Sequence, residues 1–160
     1  MPIEIRALAE ADVEAVVELS LRAWAPVFDS FARVLGADIY RRIFPDWLSS
    51  QADAVAQVCR EHAATTWVAV TDGEPVGFVA VVFGREPGSG EIEMIAVDPG
   101  HQRRGIAATL IAFAVEQMRA AGATVAVIGT GGDPGHAPAR RAYERAGFTA
   151  LPLVRYYKAL

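Results

Sequence analysis

Apolar residues that alternate with polar ones mark the strands in the first half of the chain. The alternation, or a short run of β-branched residues, occupies residues 3–7, 66–71 and 76–83. This pattern predicts β-strands, because successive side chains of a strand point to opposite faces. Asp72-Gly73-Glu74-Pro75 separates the last two segments and predicts the turn of a hairpin.

Between the first strand and the hairpin, apolar residues recur at the spacing of an α-helix. Asp12 is placed to start a helix, and apolar residues follow at intervals of three and four. Pro26 is expected to close or kink this helix, because proline lacks the N–H group that a helix interior needs. Two further helical stretches are predicted: one over residues 28–44, interrupted near Gly36, and one that Asp46 caps and that runs to about residue 62.

The second half of the chain alternates strands with helices. Strands are predicted at 91–97, 125–128 and 151–158, helices at 105–121 and 138–146, and a glycine-rich loop at 130–137. Antiparallel strands followed by a βαβ unit predict an α/β (α+β) fold, with a mixed, mostly antiparallel central sheet and helices on both faces. No linker divides the chain, so residues 1–160 are expected to form a single domain.

Composition narrows the class of protein. Apolar residues make up 52% and charged residues 21% of the 160, a balance typical of globular proteins. The formal net charge of −4 predicts no general attraction to nucleic acid or anionic membranes. Cys59 is the only cysteine, and the histidines are dispersed, so neither a disulfide nor a metal site is expected. With no apolar signal segment and no long apolar run, a cytoplasmic location is expected.

A basic loop connects the predicted strand 91–97 to the next helix. Its sequence is Val97-Asp98-Pro99-Gly100-His101-Gln102-Arg103-Arg104-Gly105-Ile106-Ala107. The first N–H groups of a helix lack partners and lie at the positive end of its dipole, so they bind phosphate or pyrophosphate. Gly105 permits close approach of such a ligand, and Arg103 and Arg104 add positive charge. The alternative is a solvated basic turn before an ordinary helix.

Two motifs resemble the GCN5-related N-acetyltransferase (GNAT) superfamily. Gln102-x-x-Gly105-x-Ala107 after a strand is similar to its acetyl-CoA signature. Ala139-Arg140-Arg141-Ala142-Tyr143-Glu144-Arg145-Ala146-Gly147-Phe148 resembles its A-x-x-x-Y-E-x-x-G-F helix and strand start. The motifs occur in the family's order and spacing and together cover residues 91–148. The resemblance therefore implies an acetyl-CoA-dependent N-acetyltransferase that acts by direct attack of an amine in a ternary complex.

The resemblance also implies which residues bind acetyl-CoA. The strand before the loop is expected to splay from its parallel neighbour, so that backbone groups of Ile95 and Val97 pair with the pantetheine arm. Gln102 belongs to the signature, and backbone amides after it are expected to hold the pyrophosphate. These amides belong to Arg103, Arg104, Gly105, Ile106, Ala107 and Ala108, with Thr109 adjoining them.

Tyr143 matches the family tyrosine near the coenzyme A sulfur, so the resemblance implies that it donates a proton to the leaving thiolate. From spacing alone, Tyr143 shares a helix face with Ala139, Ala142 and Ala146. That placement also fits a core tyrosine with a satisfied hydroxyl. The chain departs from the family pattern at His136, where many relatives carry Asn seven residues before this tyrosine.

Acetylation of an amine needs a base, because an ammonium group has no lone pair to attack a thioester. Glu91 and Glu93 lie two residues apart in a predicted strand, so their side chains are expected on one face, where they attract a cationic amine. Aligned on the loop, Glu91 resembles the glutamate base of some relatives. The alternative is that both are solvated charges near the start of the strand.

Two other functions fit the same residues: a non-catalytic acyl-CoA-binding or sensing module on this fold, and an acyltransferase that uses a longer acyl-CoA.

Gly129-x-Gly131 is similar to a dinucleotide loop, but Pro134 stands at the third glycine position and disfavours that site. No motif indicates the acceptor amine. Dimers are common in the family, which makes a homodimer one expected state. Aromatic residues expected to border the acceptor region or the core are Trp24, Phe28, Tyr156 and Tyr157.

Overall fold

The computed structural model describes residues 2–160, which contain one five-stranded sheet. Its strands are β1 (Glu4–Ala7), β2 (Thr66–Thr71), β3 (Glu74–Phe83), β4 (Ser89–Val97) and β5 (Val125–Ile128). They lie in chain order across the sheet. Strands β1 to β4 pair antiparallel, whereas β4 and β5 pair parallel, as a strand pair joined by a helix does. The predicted mixed, mostly antiparallel sheet is confirmed.

Helices cover both faces of this sheet, as predicted. Within residues 2–160 they are α1 (Val13–Leu35), α2 (Ala37–Ile43), α3 (Trp47–Glu61), α4 (Ile106–Ala120) and α5 (Ala137–Arg145). Helix α4 packs on one face through buried Leu110 and Ile111. Helices α1 and α3 pack on the other face through Leu19 and Val55, in a cluster with Phe78. Each such side chain contributes about 1.5–3 kcal/mol by leaving water. None of these described helices is long and apolar enough to cross a membrane.

Pro26 lies inside α1, so of its two expected effects, closing or kinking the helix, the first is wrong. A proline in a helix interior removes one backbone hydrogen bond and costs about 3 kcal/mol. Phe28 and Ser30, one turn later, are 7% and 5% exposed, and their burial holds the second half of the helix against the protein. Tertiary packing therefore offsets the local cost, and the helix continues to Leu35.

The strand predicted over 151–158 is absent, which is a second correction. Residues 149–160 have no regular secondary structure and are largely exposed, including Tyr156 and Tyr157. The expectation that either tyrosine borders the acceptor region stays a prediction. A strand exists only where a neighbour supplies backbone partners, and β5 has no second neighbour among the described strands.

Candidate active site

The parallel strands β4 and β5 separate at one end of the sheet. They pair only from Ser89 to Ile92 of β4, opposite residues 125–128. The rest of β4, residues 93–97, has β3 as its only neighbour among the described strands. The backbone edge of residues 93–97 that faces away from β3 therefore has no strand partner among the described residues. This unpaired edge, called the cleft below, lies at the carboxyl end of the parallel pair, where α/β sheets bind ligands.

Backbone groups of Ile95 and Val97 point towards this cleft. The Asp98 N–H donates to the Val76 carbonyl of β3 at 2.8 Å. Because successive N–H groups of a strand point to opposite sides, those of Val97 and Ile95 point away from β3. The Gln102 side chain donates to the Val97 carbonyl at 3.1 Å and so holds the following loop against the strand.

The loop from Gln102 to Gly105 leads into α4 through two residues with left-handed backbone conformation. Arg103 has φ of 62° and Gly105 has φ of 79°. Glycine adopts this conformation freely, but arginine does so at a cost, and such strain is concentrated at ligand sites. The loop exposes the N–H groups at the start of α4, and the exposed side chains of Arg103 and Arg104 lie next to them in sequence. This arrangement suits an anion.

Asp98 ties the start of the loop to α1. Its carboxylate accepts a hydrogen bond from the Arg22 side chain at 2.5 Å and another from the Gly100 N–H at 2.8 Å. Burial raises the pKa of Asp98, but the hydrogen bonds from Arg22 and Gly100 outweigh burial, so its pKa lies below the ordinary value. Asp98 is therefore an ionised anchor at neutral pH. Sequence reasoning missed Arg22, because 76 residues separate the partners.

In the first turn of α4, two side chains pack in the core and two are exposed. The Ile106 side chain is buried in the core, and Ala107 packs against the same core, so their backbone groups are what a ligand can reach. Ala108 and Thr109 are exposed. The Thr109 hydroxyl donates to the Gly105 carbonyl at 2.9 Å, so its proton is already engaged. The predicted residues from Arg103 to Thr109 thus lie together, with Thr109 free to accept a hydrogen bond but not to donate one.

Tyr143 lies on α5 and packs against the core cluster under α4, as Ile95 and Ile128 do. Its ring is edge-on to that of Phe148, with the ring centroids 6.4 Å apart. Burial raises the pKa of Tyr143 to about 12, so the hydroxyl keeps its proton at neutral pH. Among the side-chain hydrogen bonds of residues 2–160, none involves this hydroxyl. The hydroxyl is therefore a donor without a protein partner.

Arg85 binds both predicted base residues. Its guanidinium lies 3.1 Å from the Glu91 carboxylate and closer still to that of Glu93. These two contacts raise the pKa of Arg85 further above its ordinary value. The two carboxylates thus lie close together, as their spacing predicts, but both form a salt bridge with the same guanidinium. The sequence signal for this contact is a basic residue in the turn just before an acidic strand.

A β-bulge places Glu93 at the mouth of the cleft. Ala80 lies opposite Met94 and Val81 opposite Ile92, so Glu93 is the extra residue of β4. The bulge changes the alternation of the strand: Ile92 belongs to the cluster under α4, whereas Met94 packs against the cluster under α1 and α3. It also coincides with the point where β4 leaves β5. Nothing in the residue pattern indicated the bulge.

Ser30, Asp133 and His136 join α1 to the loop before α5. The Asp133 carboxylate accepts a hydrogen bond from the Ser30 hydroxyl at 2.6 Å and lies 2.5 Å from Nδ1 of His136. Burial raises the pKa of Asp133, but the bonds from Ser30 and His136 outweigh burial and lower it. The Nδ1 atom of His136, the residue at the usual position of Asn, is therefore engaged within the chain.

The glycine-rich loop packs closely on α1, which argues against a dinucleotide site there. A Cβ atom at Gly135 would lie 2.6 Å from the Cβ of Ser30, so glycine is needed for packing. A single 3₁₀ turn, Pro134–His136, precedes α5, and no long helix opens directly after β5.

The aromatic residues near the middle of α1 support the core. Phe28 is buried and stacks on Trp47, with ring centroids 4.4 Å apart. Trp24 packs edge-on against Phe78 of β3 at 6.5 Å. Of the two roles considered for Trp24 and Phe28, core packing is the one that the structure contains.

Sequence comparison links this architecture to one family. The model of the acetyltransferase (GNAT) family matches residues 33–148, well over half of the chain. No protein of curated function matches the chain.

Solved structures with the same fold cover nearly all of the chain. A GNAT-family protein from Desulfovibrio desulfuricans has a TM-score of 0.75 at 22% identity, over 99% of this chain and 92% of that chain. The PaiA N-acetyltransferase of Thermoplasma acidophilum, solved with coenzyme A, has a TM-score of 0.67 at 18% identity, over 91% and 89%. A GNAT-family acetyltransferase of Brucella melitensis, solved with acetyl-CoA, has a TM-score of 0.59 at 23% identity, over 93% and 84%. At these identities the likeness concerns the fold.

Proposed function

We propose that this chain, which belongs to the acetyltransferase (GNAT) family, transfers an acetyl group from acetyl-CoA to a primary amine. The observation that carries the proposal is the unpaired backbone edge of β4, which leads through a short loop to a helix start suited to an anion. Acetyl-CoA uses both features, because its pantetheine arm carries amides and its pyrophosphate carries negative charge. The coenzymes bound to the Thermoplasma and Brucella proteins of the same fold support the assignment.

In this proposal, backbone groups of Ile95 and Val97 pair with the pantetheine arm as an added strand would. The N–H groups from Arg103 to Ala108 surround the pyrophosphate. Gln102 keeps the loop in position through its bond to Val97. Each hydrogen bond to a charged phosphate oxygen contributes about 1.5–3 kcal/mol, so a few of them supply a large part of the roughly 8 kcal/mol that micromolar binding requires.

The acceptor amine loses a proton to Glu91 or Glu93 and attacks the thioester carbonyl carbon. As the new C–N bond forms, the carbonyl oxygen becomes an oxyanion, which N–H groups of β4 near Val97 stabilise. The C–S bond then breaks, and its electron pair leaves with the sulfur as coenzyme A thiolate. The positively charged nitrogen of the adduct gives up its second proton to water, and the thiolate takes up a proton from solvent. The products are the acetylated amine and coenzyme A, and the proton on the glutamate returns to solvent.

Tyr143 acts in this scheme as a hydrogen-bond donor to the departing sulfur. Its pKa of about 12 lies above that of an ordinary thiol, about 8.5, so complete proton transfer to the thiolate is unfavourable. A hydrogen bond to the thiolate needs no such transfer. In place of the expected proton transfer, we therefore propose that Tyr143 stabilises the leaving thiolate by a hydrogen bond.

A non-catalytic acyl-CoA-binding module is the second candidate, and one observation favours it. Arg85 occupies both carboxylates, so a cationic amine must compete with a cation of the chain itself. The pair of carboxylates with one guanidinium keeps a formal charge of −1, which still attracts an ammonium group. Release of coenzyme A thiol with a panel of primary amines tests the enzyme, whereas binding without release supports the module. The same panel with longer acyl donors tests the chain-length preference.

Acetyl-CoA should raise the melting temperature of the protein clearly. A ligand at one hundred times its dissociation constant adds about 2.7 kcal/mol to the free energy of unfolding, because it binds only the folded state. Thermal unfolding with and without acetyl-CoA measures the shift, and free acetate is the control. An unchanged melting temperature at millimolar acetyl-CoA would contradict the proposal.

Replacing the base should lower turnover without weakening acetyl-CoA binding. Of Glu91→Gln and Glu93→Gln, the variant that removes the proton acceptor should lose about 10²–10⁴-fold in kcat, the usual range for a general base. Glu116→Gln is the matched control, because Glu116 also pairs with an arginine but is exposed on α4. If both cleft variants keep kcat within twofold of the parent, neither glutamate is the base.

A further inference from the structure

Arg85 balances the charge of the two carboxylates at the mouth of the cleft. The side chains of Glu91 and Glu93 are 23% and 25% exposed, whereas that of Arg85 is 45% exposed. The carboxylates are thus largely withdrawn from water, and their counter-ion is the more exposed partner. Two like charges in this position need a cation, because their repulsion is only weakly screened away from water. Arg85 supplies one positive charge.

A single nitrogen of Arg85 makes both contacts. Its Nη1 atom donates to Oε2 of Glu91 at 3.1 Å and also to Oε2 of Glu93. Within residues 2–160, neither Nη2 nor Nε of this guanidinium donates to another protein group. The fork geometry that distinguishes arginine from other cations is therefore unused here. A primary ammonium group is also one nitrogen with several N–H donors, so it can make the same two contacts.

The turn that carries Arg85 is closed by other residues. Arg85 lies between β3 and β4, where Gly84 and Gly88 have φ of 79° and 70°. The Ser89 N–H donates to the Glu86 carbonyl at 3.1 Å, and the Ser89 hydroxyl donates to the same carbonyl at 2.9 Å. The Arg85 side chain can therefore leave the carboxylates by rotation about its own bonds, while the turn keeps its shape.

We propose that Arg85 is a specificity-determining residue, which holds the place of the acceptor's ammonium group between Glu91 and Glu93 until the acceptor binds. This inference rests on the proposed acetyl transfer. The acceptor nitrogen replaces Nη1 and meets two carboxylate oxygens, one of which takes the proton that the amine must lose. Glu93 begins the unpaired edge of β4, so this position adjoins the edge proposed for the pantetheine arm. The exchange selects unhindered primary amines, since a quaternary nitrogen has no N–H to donate.

An NMR titration with ethylammonium chloride tests the exchange in the absence of acetyl-CoA. At constant ionic strength, the backbone amide signals of residues 91–93 report binding. Arg85→Gln should bind ethylammonium about 3–10-fold more tightly than the parent, because a tethered competitor that makes two exposed ion pairs is gone. Arg85→Lys should bind it as weakly as the parent, because lysine again tethers one charged nitrogen. Arg119→Gln removes the partner of Glu116 on α4, and this matched control should equal the parent.

The same titration with tetramethylammonium examines the two-contact position itself. This cation has the same charge but no N–H group, so it should bind the parent and Arg85→Gln at least about tenfold more weakly than ethylammonium does. Equal binding of the two cations would overturn the proposal. So would ethylammonium binding that Arg85→Gln leaves unchanged or weakens, that Arg85→Lys tightens as Arg85→Gln does, or that neither protein shows. Because the titration involves no turnover, absent thiol release contradicts the acetyl transfer separately.

Discussion

Replacing Gly105 by valine should weaken acetyl-CoA binding by about 10²-fold or more while the protein stays folded. Gly105 precedes α4 with φ of 79° and ψ of 4°, and a Cβ there would meet nothing within 4 Å. The substitution therefore causes no clash inside the protein. A β-branched residue in this conformation costs about 1–2 kcal/mol, and the backbone relieves that strain by turning its N–H groups away from the ligand. Loss of two charge-assisted hydrogen bonds gives the stated loss of affinity.

Gly84→Val is the matched control for this prediction. Gly84 also has φ of 79° and free space around its Cβ position, but it lies in the turn after β3. Urea unfolding should show a similar loss of stability in the two variants, whereas calorimetric titration with acetyl-CoA should show weak binding only for Gly105→Val. Equal affinity in the two variants would mean that the loop does not hold the pyrophosphate.

Tyr143→Phe should lower kcat by about 10-fold to 100-fold, because a hydrogen bond to a charged group is worth about 1.5–3 kcal/mol. The loss should appear equally in kcat and kcat/KM, since the bond forms only as the thiolate leaves. Stability should hardly change, because no protein partner of the hydroxyl is lost. Tyr40→Phe, on α2, is the control. If kcat is unchanged in Tyr143→Phe, the hydroxyl has no part in the reaction.

The raised pKa of Tyr143 also predicts how stability and kcat/KM depend on pH in the parent and in Tyr143→Phe. The folded protein binds this proton up to about pH 12, whereas an unfolded tyrosine releases it near pH 10. The stability that this group contributes is therefore complete below pH 10 and is lost as the pH rises towards 12. Below pH 10 the hydroxyl stays protonated, so any fall in kcat/KM on the basic side should be the same in parent and variant.

Local chemistry explains which elements the sequence predicted well. Thr66–Thr71 and Val125–Ile128 match their predicted bounds, because β-branched runs between turn residues favour strands wherever they pair. Asp46 starts α3, and its side chain accepts the Ser49 N–H, as a cap at that position does. The two family motifs fall on the loop before α4 and on α5. The loop lies at the separation of β4 and β5, and α5 carries Tyr143.

The tertiary structure decided the features that depend on distant residues. Pro26 remains within α1 because buried Phe28 and Ser30 hold the helix in place. Residues 149–160 form no strand because no strand of the described sheet pairs with them. The bulge at Glu93, like the bond between Arg22 and Asp98, arises from how separate segments meet. Hydrophobic periodicity, helix caps and turns depend on residues a few positions apart, so they can be recognised from the sequence alone. Pairing and burial depend on which segments the folded chain brings together, and a local pattern does not contain that information.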